Sequence, residues 1–222
     1  MRGIMTAIPL CLLAACAGHK TPPAATVAAE APPATPTWET LILPEDATRL
    51  DDIARRWVNA RTAARRVSAK RLETEGDLLQ PGGALAYPDP SPGPYRCRRV
   101  RIGTSPRSFV GEAPGFCAVQ ATERGLGFIM QTGAARPDGY LFADKADRMV
   151  LLGGEAPGKT GRAPGYGADA GKSVTGSLER IGDFRWRLVI PRRDDGLDVI
   201  EMVPIAPKMR GDTGAIQASD AD

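Results

Sequence analysis

Residues 174–203 read VTGSLERIGDFRWRLVIPRRDDGLDVIEMV, and this stretch decides the fold class. Phe184, Trp186, Leu188 and Ile190 alternate with Arg185 and Arg187, the period of two that sends successive side chains to opposite faces of a strand. The pattern predicts a half-buried strand, apolar on one face and charged on the other. Gly182-Asp183 before it and Asp195-Gly196 after it are residues that tolerate the backbone angles of tight turns. Apolar runs flank both turns, at 174–181 and 197–203. Three strands joined by two short turns make an antiparallel meander.

Working towards the N-terminus, the same texture of short apolar runs broken by Gly, Pro and Asp continues back to Pro81. It predicts further strands near 95–102, 116–121, 127–131, 140–143 and 149–152. Before Pro81 the period changes. Leu50, Ile53, Trp57, Ala60, Ala64 and Val67 recur at spacings of three and four, one stripe of an amphipathic helix. Glu45, Asp46, Asp51 and Asp52 fall in its early turns and Arg65, Arg66, Lys70 and Arg71 in its late ones, the order the helix dipole favours. The expected fold class is therefore mainly β with one long N-terminal helix: an antiparallel meander, closed as a small barrel or open as a curved sheet.

The ends of the chain carry an address. An apolar run after Arg2 closes on Leu13-Ala14-Ala15-Cys16, which reads as a bacterial lipoprotein cleavage box behind a signal too short to span a bilayer. Residues 1–15 are then a signal peptide, and Cys16 is the lipid attachment site. Residues 16–37 form an anchor and a Pro/Ala-rich tether, residues 38–207 a single domain, and residues 208–222 a polar tail. Ala17 in place of Asp points to the outer membrane, so the expected localisation is periplasmic and lipid-anchored. Cys11 leaves with the signal and Cys16 takes the lipid. In an oxidising compartment the remaining pair, Cys97 and Cys117, should form a disulfide.

The chemistry is defined by what is missing. The only histidine is His19, next to the anchor, so the domain has no material for a Ser-His-Asp triad or a histidine-ligated metal, and no metal or cofactor is expected. Glu179 with Asp183, or Asp194, Asp195 and Asp198, are nominal carboxylate pairs for a hydrolase, yet all sit beside turns where Asp is expected for backbone reasons. Residues 153–160, GGEAPGKT, match the phosphate-loop string. That chemistry needs a helix immediately afterwards, and Gly161, Pro164, Gly165 and Gly167 forbid one. Residues 153–172 are expected to form a long flexible loop, and Lys159 to bind no nucleotide. A net charge of +3 is too small to indicate nucleic acid. Four arginines, Arg96, Arg98, Arg99 and Arg101, crowd one strand. Alternation puts Arg96 and Arg98 together on one face, and this pair is the candidate site for an anionic envelope component.

Tyr95-Arg96-Cys97-Arg98, residues 176–188 and residues 197–204 together resemble an uncharacterised family of alphaproteobacterial envelope proteins, domain of unknown function 4893. The resemblance covers about Trp38 to Pro204 and implies one domain and an envelope location. It brings no catalytic residue. Members carry a polar Ser-Gln-Arg where this chain has Ala134-Ala135-Arg136, which implies a weakened polar site there. The expected function is non-catalytic, as a binding or structural envelope component partnered with the membrane through its lipid. The alternatives are a lipocalin-like small-ligand carrier, an inhibitor of a protease or hydrolase, and a carboxylate-dependent hydrolase. A carrier needs an apolar cavity, an inhibitor a protruding ordered loop, and a hydrolase two facing carboxylates.

Overall fold

The structure, a computed structural model, describes residues 36–158 and 161–206. The signal segment, Cys16, most of the tether, Lys159 and the tail lie outside the described residues. Three helices come first: α1 (Trp38–Leu41), α2 (Pro44–Asp51) and α3 (Ile53–Glu75). Nine strands follow: β1 (Gly93–Ile102), β2 (Val110–Gly111), β3 (Gly115–Thr122), β4 (Gly125–Met130), β5 (Arg136–Lys145), β6 (Arg148–Ala156), β7 (Ser173–Gly182), β8 (Arg185–Pro191) and β9 (Leu197–Pro204).

Each strand from β3 onward pairs antiparallel with the next, and β1 pairs with both β3 and β9, so eight strands close into a barrel. β1 is long enough to do this because its two edges serve different partners. Its first half, through Cys97, pairs with β3, while residues 95–102 run along β9. Beyond Cys97 the β3 edge would be bare, and the short β2 covers part of it through Val100↔Gly111 and Arg101↔Val110. Closure removes the unpaired edges that make open sheets prone to association.

The inward-facing residues form one core: Tyr95, Cys97, Cys117, Val119, Phe128, Met130, Leu141, Leu151, Leu178, Trp186, Leu188, Ile200 and Met202 are all buried. Cys97 and Cys117 are joined as a disulfide inside it, with Cα atoms 5.7 Å apart. Gly139 and Gly153 face each other across β5 and β6. A Cβ on either would run into the backbone of the other strand, so the close approach there requires glycine. One end is sealed. Trp186 stands edge-on to Tyr95 with centroids 6.0 Å apart, and their polar handles donate to the carbonyls of Pro88 and Ser91, at 2.8 and 2.6 Å. The segment before β1 thus crosses this end as a floor.

A second core lies outside the barrel. Leu50, Ile53, Trp57, Ala60 and Ala64 cover the outward-facing Val100, Val150, Leu152, Val189 and Val199. The predicted stripe holds up to Ala64, but Val67 is 44% exposed, because Ser68 leaves helical geometry (φ −162°, ψ 99°) and kinks α3. Buried Leu72 resumes the contact after the kink.

Two further expectations are corrected. β8 is buried on both faces: Arg187 is 1% exposed under the helix, while Phe184, counted into the apolar face, lies in the turn before β8 and is 73% exposed. The long loop is also shorter and firmer than the glycines suggest. Gly153 to Ala156 belong to β6, and the described part of the loop after it is pinned. The Arg136 guanidinium donates to the carbonyls of Gly158 and Gly161 at 3.0 and 2.7 Å. Gly154 lies so close to the Pro164 carbonyl that no side chain would fit there. Residues 161–165 are not helical, so the helix that a phosphate loop requires does not follow.

Candidate functional site

The end opposite the floor is open. Here the C-terminal ends of β1, β6 and β8 meet the N-terminal ends of β7 and β9, and a cavity of about 540 Å³ lies between this rim and the start of α2. Inward-facing Arg101, Val174, Ile190 and Asp198 form its inner wall, and Asp46, Arg49 and Thr175 its helix side. The lining mixes apolar surface with convergent charge, as small-ligand sites do.

Asp198 is the centre of the charge. Its Oδ1 accepts from Arg101 Nε at 2.9 Å and Arg192 Nη1 at 3.4 Å, and its Oδ2 lies 3.7 Å from Arg99 Nε. Arg192 is shared with Asp194, whose carboxyl it holds below the usual range through paired hydrogen bonds at 2.8 and 2.6 Å. Arg101 makes its ion pair with Asp198 through Nε, and its side chain stays partly exposed at the rim. Arg99 is 2% exposed. It donates to the Ala135 carbonyl through Nη2, yet its Nε and Nη1 have no hydrogen-bond partner, with Glu112 only reaching 3.8 Å. The buried Thr175 hydroxyl on the cavity wall is likewise without a partner. Unmatched buried donors are rare because each costs the desolvation of its group.

The rim is braced from outside. Arg55 spans Asp52 and Asp195, holding both carboxyls below their ordinary range and tying the start of α3 to the β8–β9 turn. Arg56 donates to the Arg192 carbonyl at 2.7 Å. Tyr166 clamps the loop to α2, donating to Asp46 at 2.7 Å and accepting from the Leu43 amide at 3.0 Å. Burial, followed by the hydrogen bond to Asp46, pushes this phenol's pKa well up.

The residues singled out by sequence are distributed differently. Arg96 is exposed on the outer face of β1. Arg98 shares that face, but its guanidinium is already held by Glu75 at 2.7 Å and Glu201 at 3.0 Å, so the pair does not present two free charges. Glu201 also takes Arg185. Among the carboxylates, Glu179 is bound to Arg187 at 2.7 Å, Asp183 sits exposed in its turn, and Asp194, Asp195 and Asp198 each face arginine. A general acid needs the opposite environment. Asp138 on β5 has its pKa raised by burial, opposed by Arg162, beside a smaller cavity of about 270 Å³ under residues 163–166. It is the only carboxylate among the described residues lining that cavity.

Sequence reasoning passed over Arg99 and Arg101, although a signal was present. They share the phase of Cys97 along β1, so a cysteine that pairs inside the barrel also turns both arginines inward. Among the described residues no group of three His, Cys, Asp or Glu is placed to hold a metal. Neither a curated protein nor a solved structure matches the chain. The match to the family described as Domain of unknown function (DUF4893) runs over residues 38–202, from α1 to within β9 and so across all the mouth residues named above, and the chain belongs to that family.

Proposed function

We propose that this protein is a lipid-anchored component of the bacterial envelope, held at the periplasmic face of the outer membrane through Cys16, and that it acts by binding a small ligand at the barrel mouth rather than by catalysis. The observation that carries the binding role is the mouth itself, an open, charged cavity with the unmatched Thr175 hydroxyl on its wall and the underbonded Arg99 behind Asp198. A deep carrier is disfavoured because Phe128, Leu178, Leu188, Trp186 and their neighbours fill the barrel interior. Arg136 and Tyr166 hold the loop down where an inhibitor would project it. The arginine held against Glu179, Asp194, Asp195 and Asp198, and the exposure of Asp183 in its turn, argue against a hydrolase. The apolar side chains of the inner core point inward, the reverse of a barrel whose outer band meets lipid, which suits a domain tethered beside a membrane. The Leu13–Cys16 box and the family resemblance support the envelope address.

Two experiments test it. Mass spectrometry of the membrane fraction should find Cys16 N-terminal and acylated, and Cys16→Ser should release the protein from the membrane. A Cys16→Ser protein that stays bound and is processed normally would contradict the address. Thermal-shift screening against small anionic and neutral compounds, with hydrolysis followed in the same samples, should show stabilisation without turnover. Turnover lost in Asp194→Asn or Asp198→Asn would establish the hydrolase instead.

A further inference from the structure

We propose that Arg99, Arg101 and Arg192 form an oxyanion site which Asp198 occupies as the chain's own anion, so that a phosphate or carboxylate group entering the mouth competes with Asp198 for the same donors. This rests on the reading of the mouth as a binding site and names its ligand class. Three guanidiniums converge on one carboxylate at 2.9, 3.4 and 3.7 Å, and a guanidinium presents five donors where one carboxylate has about four acceptor positions. Asp198 therefore satisfies only part of the cluster. Arg99 Nε and Nη1 are buried behind Asp198 without hydrogen bonds, Arg101 uses Nε alone on its ion pair, and the Thr175 hydroxyl on the helix side of the cavity is also unmatched.

The shape of the shortfall selects the ligand. Planar forked donors fit carboxylate and phosphate oxygens in pairs, and in a partly enclosed cavity such pairs are less screened than on open surface. Arg193 on the rim adds positive charge on the approach, while Lys172 beside it is paired with Asp169 at 3.4 Å. Val174, Ile190 and Pro191 line the same cavity, so an oxyanion carried on a short apolar body finds both parts of the wall.

The test uses the folded protein, inorganic phosphate and succinate as separate probes, and sodium chloride to hold ionic strength constant. Removing the built-in competitor in Asp198→Asn should tighten at least one probe about tenfold, and Arg101→Ala should weaken the same probe about tenfold, the lower end of measured couplings between close charges. Which probe responds identifies the oxyanion as phosphate or carboxylate. If Asp198→Asn does not fold without ligand, recovery of its folded signal by the responding probe, but not by chloride, supports the site. Asp198→Asn that folds and binds no tighter than the parent overturns the proposal, as does an unchanged affinity in Arg101→Ala. Absence of binding by either probe to every variant overturns the oxyanion site while leaving a different ligand for the mouth. Turnover of a substrate that depends on Asp198 overturns the binding reading itself.

Discussion

Two buried arginines, 1% and 2% exposed, sit on opposite faces of the barrel wall, Arg187 outside and Arg99 inside, and their surroundings differ. Arg187, on the outer face of β8 beneath the helix, is saturated. It binds Glu179 at 2.7 Å and the carbonyls of Asp77 and Gly82 at 3.0 and 3.1 Å, bonds the Gln80 carbonyl as well, and lies 5.5 Å from the Trp57 ring. Those carbonyls belong to the turn that ends α3, so one side chain stitches the helix end to the sheet. It also belongs to a row of alternating charge, Arg98, Glu201, Arg187 and Glu179, running across four strands in register. Arg99, facing inward at the mouth, has one carbonyl and two carboxylates at 3.7 and 3.8 Å. A saturated buried charge is a structural fastening, whereas an undersupplied one retains donors for a ligand.

The contrast can be broken at several points. The largest effect is expected for Arg187→Met, which strands Glu179 and the carbonyls of the turn. Urea denaturation should show a loss of about 3–5 kcal/mol. Opening the disulfide with Cys97→Ala and Cys117→Ala, which frees β1 two residues from Arg99, should cost about 3 kcal/mol for a separation of 20 residues in the chain-entropy account, read from the same curves. Arg99→Met should cost about 1 kcal/mol or less, because few satisfied bonds are lost and Asp198 keeps Arg101 and Arg192, so no uncompensated charge is left buried. A loss equal to that of Arg187→Met would erase the distinction.

The smallest effect concerns pH. Asp194 has its folded pKa depressed by Arg192 below its ordinary 3.8. Its stabilising contribution is thus complete above that value and fades as pH falls through the lower folded one. Allowing for its exposure to solvent, the loss should stay under about 1 kcal/mol. A stability titration from pH 6 to pH 2 should show it in the parent and less of it in Arg192→Ala.

The sequence revealed most where one face of an element meets the core. Eight strands were visible as short apolar runs set off by Gly, Pro and Asp, and the helix because Leu50 to Ala64 repeat every third or fourth residue. The two-residue β2 is too short to have a period, and the Ser68 kink leaves no mark in the stripe except Val67. Barrel closure depends on β1 meeting β9 about a hundred residues away, which alternation within either strand does not encode. Arg187 was assigned to solvent because charge usually marks an exposed face, and nothing in β8 says that a helix covers it. The mouth was missed for a related reason. Alternation separates Arg99 and Arg101 from Arg96 and Arg98, but the pair chosen was the one facing solvent, when the phase of Cys97 turns the other pair into the barrel.

The most direct test of the account is to follow the arginine Nε–Hε resonances by NMR while phosphate or succinate is added at constant ionic strength. The account predicts saturable shifts at Arg99, Arg101 and Arg192, with Arg187 unmoved throughout the titration. Uniform small shifts across all arginines, or none at the mouth with either anion, would contradict it.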